Sequence, residues 1–413
     1  MKPVRARLLL VSILAELLLA SGSYAEYTFE AGIRLREEYN DNIYLASDNR
    51  EDDFITTISP SFKLAFDIST VELNLDYGLN FRFYADHSRE NETSFERSQR
   101  ANFQTNFLLY KDVLSLSLSD EYSRVPIDQR EKVAIDNLIV NMTDRNIFII
   151  SPQLQYPITG TLKARASYIY ENRWYRDNPR SNLSDHTADL SLVKELSEKL
   201  VSNVSYRYLF HRPELFIDRY DNQNATIGVD YQATPKLSLK GSGGYSWFNY
   251  DTGRSSESAI WDTSAKYQVT SKTALSAAYH EKYSTAVLSG TFRQRSGSVA
   301  VEYTGAIPVT LSVFEFTDVY EVVNRKDTGQ GAVISSRVQL GQRLSGTVLA
   351  NYTHYRFLPQ DIETDRVGAA LTLDYDTKMT KLSLGYTHNL TDSTQANSSF
   401  RNNIIWAQAG FTY

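Results

Sequence analysis

Charged side chains at every second position are the most chemically distinctive feature of this 413-residue chain. Arg34 and Arg36 flank Leu35, Lys163 and Arg165 flank Ala164, and Asp76 and Arg82 alternate with Leu75, Tyr77 and Phe81. A period of two puts such charges on one face of a β-strand. Rows of mixed charge facing water suit a hydrated passage for polar solutes, because rings of charge tune ion preference. The pore-lining candidates are Arg34, Arg36, Lys63, Asp76, Arg82, Arg100, Lys163, Arg165, Arg207, Lys240, Lys266 and Arg337. Opposite charges that pair across neighbouring strands would hold register instead. The slight basic excess among all charges of this parity favours anions.

Other chemistries find less support. The chain has no Cys, which removes thiol catalysis, disulfides and thiolate metal sites together. Its six histidines (87, 186, 211, 280, 354 and 388) are scattered. There is no HExxH motif, Gly-x-Ser-x-Gly elbow, phosphate-binding glycine loop or dinucleotide fingerprint. A Ser–His hydrolase is the weakest case: Ser383 and His388 have opposite parity and would lie on opposite faces of a strand. Asp41, Asp48, Glu51, Asp52 and Asp53 crowd one polar segment, but their spacing is not that of an EF-hand, and a solvated acidic tip explains them. No cofactor is expected, and no basic excess recommends nucleic acid.

The elements that must carry these charges are strands. Alternation runs from Tyr27 to Leu35, from Ile58 to Phe66 and from Val71 to Phe83, and it recurs to the C-terminus. The breaks alternate: short near Asp67–Thr70, Pro157–Gly160 and Ala233–Lys236, and long near Asn40–Asp53, Ala85–Ser94 and Val125–Arg145. Membrane barrels have short periplasmic turns and long outer loops, and both termini on the periplasmic side demand an even strand number. The fold expected is therefore all-β: one antiparallel transmembrane barrel of about 20 strands, or 18 as the alternative. Strands Tyr- and Phe-rich on one face fit, with 28 Tyr and 19 Phe. Tyr84, Trp174, Tyr208, Tyr250, Tyr283, Tyr355 and Trp406 read as interface girdles first and sugar-stacking platforms second. Gly241, Gly243 and Gly244, inside a strand pattern, imply close backbone approach or a bend.

Residues 1–25 read as a secretory signal: Lys2, Arg5 and Arg7, then an apolar run from Leu8 to Leu19, then Ser23-Tyr24-Ala25, with cleavage before Glu26. Without that segment the formal charge of −6 becomes −8. The barrel would then occupy residues 26–413. Its last strand puts Ile405, Ala407, Ala409, Phe411 and Tyr413 on one face, resembling the signal read by the outer-membrane assembly machinery through Phe411 and Tyr413. The longest loop holds Val133, Ile135, Leu138 and Ile139, more apolar than an exposed loop needs; it either packs over the rim or pairs as extra strand, or folds inward as a constriction or plug.

Asn40-Asp41-Asn42-Ile43-Tyr44-Leu45, then Asp52-Asp53-Phe54-Ile55-Thr56-Thr57-Ile58-Ser59-Pro60, resembles the opening of the β-barrel porin-2 family. Asn141-Met142-Thr143-Asp144-Arg145-Asn146-Ile147-Phe148 resembles it too. The resemblance implies a bacterial outer-membrane protein in contact with lipid. It also implies a conduit for a small polar solute or, as similar barrels accompany such systems, for an exported exopolysaccharide. A non-conducting scaffold around a partner protein is the second functional class, and an outer-membrane lipid hydrolase the third.

Overall fold

In a lipid bilayer no water satisfies backbone N–H and C=O groups, so spanning strands must close on themselves. The computed structural model describes residues 26–110, 113–214, 219–287 and 290–413; the signal segment of residues 1–25 lies outside them. Twenty strands form one antiparallel ring. The first five are β1 (Glu26–Asn40), β2 (Asp53–Ile68), β3 (Val71–Leu79, resuming as Phe81–Tyr84), β4 (Gln99–Tyr110) and β5 (Leu114–Pro126). Next come β6 (Met142–Thr159), β7 (Leu162–Tyr175), β8 (Leu183–Ser197), β9 (Leu200–Pro213) and β10 (Tyr220–Thr234). Then follow β11 (Leu237–Tyr250), β12 (Ser255–Thr270), β13 (Thr273–Ala286), β14 (Gly290–Tyr303) and β15 (Val309–Tyr320). The last are β16 (Arg325–Gln339), β17 (Leu344–Leu358), β18 (Ile362–Asp376), β19 (Thr380–Ser393) and β20 (Phe400–Thr412).

β3 is one strand: Ser61 faces Gly78 and Thr57 faces Arg82, the same register on both sides of Asn80. Each strand pairs with its sequence neighbour, and β20 returns to β1 in the register Gly32↔Thr412 to Asn40↔Ile404. Ala31 and Tyr413 exchange both backbone hydrogen bonds at the lower end of that seam, 3.0 and 2.8 Å long. The barrel is closed and even-stranded.

One end carries tight turns such as Gly160–Thr161, Glu198–Lys199 and Pro235–Lys236, and the other carries the longer loops. Length alternation is not strict, however. The outer β17–β18 connection is only Pro359–Asp361, whereas the periplasmic β14–β15 connection runs Thr304–Pro308. Two glycines of β11 stand at close approaches: a side chain at Gly243 would meet the Trp261 ring, and one at Gly244 the Ala225 carbonyl, whereas one at Gly241 would meet nothing nearer than Thr263 at 3.8 Å.

Alternation assigns the two faces. Leu190, Ile227, Trp261, Leu384 and Ile405 point outward and leave 58, 62, 48, 60 and 59 % of their surface uncovered. So much apolar surface is stable only against lipid. Two tyrosine belts bound this band. Below are Tyr156, Tyr231, Tyr267, Tyr303 and Tyr375. Above, outward tyrosines give their hydroxyls to polar groups one strand away: Tyr206 to Gln223 (2.8 Å), Tyr352 to Asp365 (2.6 Å) and Tyr386 to Asn403 (2.8 Å). Tyr352 stands opposite Val367 on β18, and Tyr375 follows eight residues later. That is about 26 Å of strand at roughly 3.3 Å per residue, or about 20 Å of height once tilted.

Of the tyrosines and tryptophans expected as girdle, Trp174 and Tyr208 do face outward. Tyr84, Tyr250, Tyr355 and Trp406 belong to the other parity and face the lumen, and Tyr283 packs on Phe248. At strand ends an inward ring has loops to pack against, and that packing competes with the interface for aromatics.

Leu371→Arg, in the middle of the lipid-facing band, should destabilise the barrel by roughly 2–4 kcal/mol. Thr372→Arg, its lumen-facing neighbour, should cost far less. Reversible urea unfolding in lipid vesicles compares them, and equal penalties would invert the assignment of faces.

Candidate functional site

The lumen wall is built rung by rung from the opposite parity. Arg34 and Arg36 of β1 share it with Glu30 and Glu38; Lys63 stands between Glu30 on β1 and Asp76 on β3. Arg100 is opposite Gly78, where a Cβ would come within 2.8 Å of its Nε, so the glycine makes room for the guanidinium. Around the ring, Lys163 meets Glu195 (3.3 Å), Arg165 donates to Gln155 (2.8 Å), Arg207 meets Asp189 (3.1 Å) and Lys266 meets Glu302 (3.6 Å). Lys240 stands opposite Asp230, and Arg337 opposite Thr347. Lys163, Arg207 and Lys266 therefore lie in ion pairs between strands. Among the described residues, Arg34, Lys63, Arg100, Arg165, Lys240 and Arg337 have no carboxylate within the 4.0 Å of an ion pair. Arg82 faces inward but is buried against Glu92 of the following loop, which also binds Arg124, so Arg82 does not reach open lumen.

The β5–β6 loop, Ile127–Asn141, turns into this space. Its base is closed by Ile127 N donating to Asn141 O (2.9 Å) and by the Asn141 side chain, which receives Asp128 N (3.0 Å) and donates to Asp128 O (2.6 Å). Asp136 and Asn141 take left-handed conformations at φ 61° and 58°, which Asp and Asn tolerate better than most residues. Asn137 folds the tip by accepting from Ile139 N and Val140 N, each at 3.2 Å.

The tip then reaches the far wall. Asn389 of β19 accepts from Ile135 N (2.9 Å) and donates to Ile135 O (3.1 Å), while Thr387 donates to Asp136 (3.1 Å). Arg366 of β18 donates to the carbonyls of Gln129 (2.6 Å) and Glu131 (2.9 Å), its guanidinium lying 4.7 Å from the Tyr355 ring centre. Arg36 comes within 3.6 Å of Asp136 and stacks 4.4 Å from the centre of Trp406. Ile139 packs on Ile43, Ile55 and Tyr84, and Ile135 lies over Gly368. Val133 and Leu138 are half-buried within the same loop. Thr387 is six residues below the outer end of its strand, so the loop descends into the barrel and does not arch over its mouth. Burial works against the Asp128 carboxylate, but the Arg130 side chain and amide hold its pKa below the ordinary range, and Arg325 lies 3.7 Å away. Arg325 belongs to β16, ten strands around the ring from β6. The loop crosses the lumen.

The acidic first loop does not gather its carboxylates around one point. Asp41 accepts from the Asn403 amide and side chain at 2.6 Å each, and Asp53 accepts from the amides of Ala85, Asp86 and His87. His87 ties the two loops together, with Nδ1 at 2.8 Å from Asp53 and Nε2 at 2.7 Å from Glu51. Ser383 bonds Asp374 on the lumen side while His388 bonds Asn403 outside, so the two cannot meet.

Sequence reasoning proposed the loop but missed its anchors Asn389, Thr387, Asp136 and Arg325. The Asp136, Asn137 and Asn141 turn residues were the one local signal.

No family model matches the chain, and no curated protein matches it by sequence. Its fold is similar to the FrpB iron transporter of Neisseria meningitidis (F5-1 variant), with TM-score 0.53 and 11 % identity over 93 % of this chain and 82 % of that one. It is also similar to a mutant of the ferric enterobactin receptor PfeA of Pseudomonas aeruginosa, with TM-score 0.53 and 8 % identity over 95 % of this chain and 81 % of that one. A likeness at such identity is one of fold. A closed 20-stranded barrel with a lipid-facing band and two tyrosine belts belongs in the bacterial outer membrane.

The bonds to Asp53 and Glu51 raise the His87 pKa above 6.5. A raised histidine pKa contributes stability that is full below the unfolded value and lost as pH rises through the folded one. The Asp53 carboxylate, opposed by burial but held below 3.8 by amides and His87, contributes above 3.8 and fails as pH falls through its own folded value. The protection factors of the Ala85–His87 amides, taken relative to the intrinsic exchange rate at each pH, should therefore be highest in the window between these values and fall above the His87 pKa, and His87→Gln should abolish that upper limb. A pH-independent profile in the wild type would remove the clasp.

Proposed function

We propose that the barrel is a passive channel for small polar solutes, narrowed by the Ile127–Asn141 loop and biased toward anions. The single observation behind this reading is the loop's anchoring at depth: a segment bonded to Thr387, Asn389 and Arg366 occupies the lumen where flux would otherwise be unrestricted. A barrel of this size leaves a water-filled interior unless something fills it. The bias comes from Arg34 and Arg100, two lumen guanidiniums within electrostatic reach of each other, with Asp76 as the neighbouring counter-charge. A transport role agrees with the structurally similar barrels, an iron transporter and a ferric enterobactin receptor.

Export of an exopolysaccharide is the narrower alternative implied by the family resemblance. It demands that the same loop swing aside, because a polymer cannot pass a bonded crossbar. Four of the upper lumen aromatics offer no sliding track, since Tyr84, Tyr220, Phe248 and Phe357 are buried.

Refolded residues 26–413 in planar bilayers should give ohmic single-channel steps, and deleting Val133–Val140 should enlarge them several-fold. Arg34→Ala with Arg100→Ala should move the reversal potential in a salt gradient toward non-selectivity. Silence from folded wild type and from the deletion alike would replace the channel with a scaffold.

A further inference from the structure

A groove of about 440 Å³ opens on the outside of the barrel, over strands β13 to β17. Cross-strand register places it. Tyr279, Gly297, Glu315, Gln330 and His354 form one outward rung, each directly opposite the next. The rung above carries Arg295, Thr317, Thr328 and Arg356. The rung below is Ala277, Val299, Val313, Ala332 and Tyr352, wholly apolar apart from the belt tyrosine. The groove thus sits where hydrocarbon ends and outer-leaflet headgroups begin.

Its floor exists because Gly297 lacks a side chain: a Cβ built there would come no nearer than 3.8 Å to any neighbour, in Glu315. Its walls supply both donors and acceptors, as sugar hydroxyls require. Both guanidiniums are half-exposed and only partly engaged. Arg295 uses Nε on Glu281 (2.9 Å), and Arg356 uses Nε and one Nη on Asp361 (2.8 and 2.7 Å). The remaining N–H groups suit phosphate, to which guanidinium forms strong paired hydrogen bonds. Glu281, Glu315 and Asp361 offset Arg293, Arg295 and Arg356, so the patch has no positive excess, which argues against a bare anion and for a ligand whose sugar hydroxyls also engage the carboxylates. Small residues in the rung below leave room for acyl chains beside the wall.

We infer that this groove binds the sugar-phosphate headgroup of a phosphorylated glycolipid of the outer leaflet. The lipid is held at the barrel wall whether or not the pore conducts.

The test uses the purified full barrel in detergent, with rough-type lipopolysaccharide as probe, read by native mass spectrometry and by thermal shift. Wild type should retain the lipid and be stabilised by it. Arg295→Ala with Arg356→Ala should weaken retention roughly ten-fold or more. Gly297→Trp, which fills the groove and leaves every charge in place, should do the same while the protein keeps its folded electrophoretic mobility. Equal retention by a folded Gly297→Trp barrel would overturn the assignment. So would equal binding of phosphatidylglycerol, or full displacement by inorganic phosphate, since either would mean a generic anion site.

Discussion

Everything in this protein depends on the hydrogen-bonded seam between β1 and β20. A sheet in lipid has no water to satisfy an edge, so one unpaired strand would leave a row of amides and carbonyls unmatched at several kcal/mol each. Gly32–Asn40 and Ile404–Thr412 meet from opposite ends of the chain and remove both edges at once. Closure then dictates the rest. It fixes which parity faces lipid, and it encloses a space that polar side chains must fill or line. It also obliges every outer loop to go upward, sideways or in.

The lumen shows how such a space is managed. Some facing charges, Lys163, Arg207 and Lys266 among them, are spent on carboxylates of other strands, which helps keep a large sheet in register. Two guanidiniums without a carboxylate partner, Arg34 and Arg100, lie near each other on β1 and β4, while Arg165 and Arg337 stand elsewhere on the ring. On the proposed channel reading, selectivity is set where pairing is incomplete and the bore is reduced, beside Arg34 and Arg100.

The architecture was readable because its information is local. Alternation at Val71–Phe83 or Tyr27–Leu35 needs only adjacent residues, and turns announce themselves by polar breaks. Strand count, faces and the two ends follow from those signals alone. The strict alternation of loop length was too simple, since Pro359–Asp361 joins two outer strand ends in three residues. The course of the β5–β6 loop was only half readable. Its apolar content, Val133 to Val140, marked it as unusual, but its partners lie about 250 residues away at Thr387 and Asn389. No spacing rule links residues so distant. The inward aromatics Tyr84, Tyr250, Tyr355 and Trp406 had the parity of the lumen all along. Their chemistry suits a membrane interface and a loop-packed rim equally, so residue type alone could not place them.

A cylinder made of one sheet resists stretching around its circumference, because that breaks hydrogen bonds, but it is soft against being squeezed into an oval. Lateral pressure from the surrounding membrane acts on that soft mode. The β5–β6 loop is a strut across it, fixed at its root between two strands and tied at its tip to β18 and β19, with Asp128 beside Arg325 on β16. It sets the cross-section as well as obstructing it. Barrels without such a strut must gain their roundness from narrower bore or from neighbours, whereas this one carries the means of holding its shape inside itself.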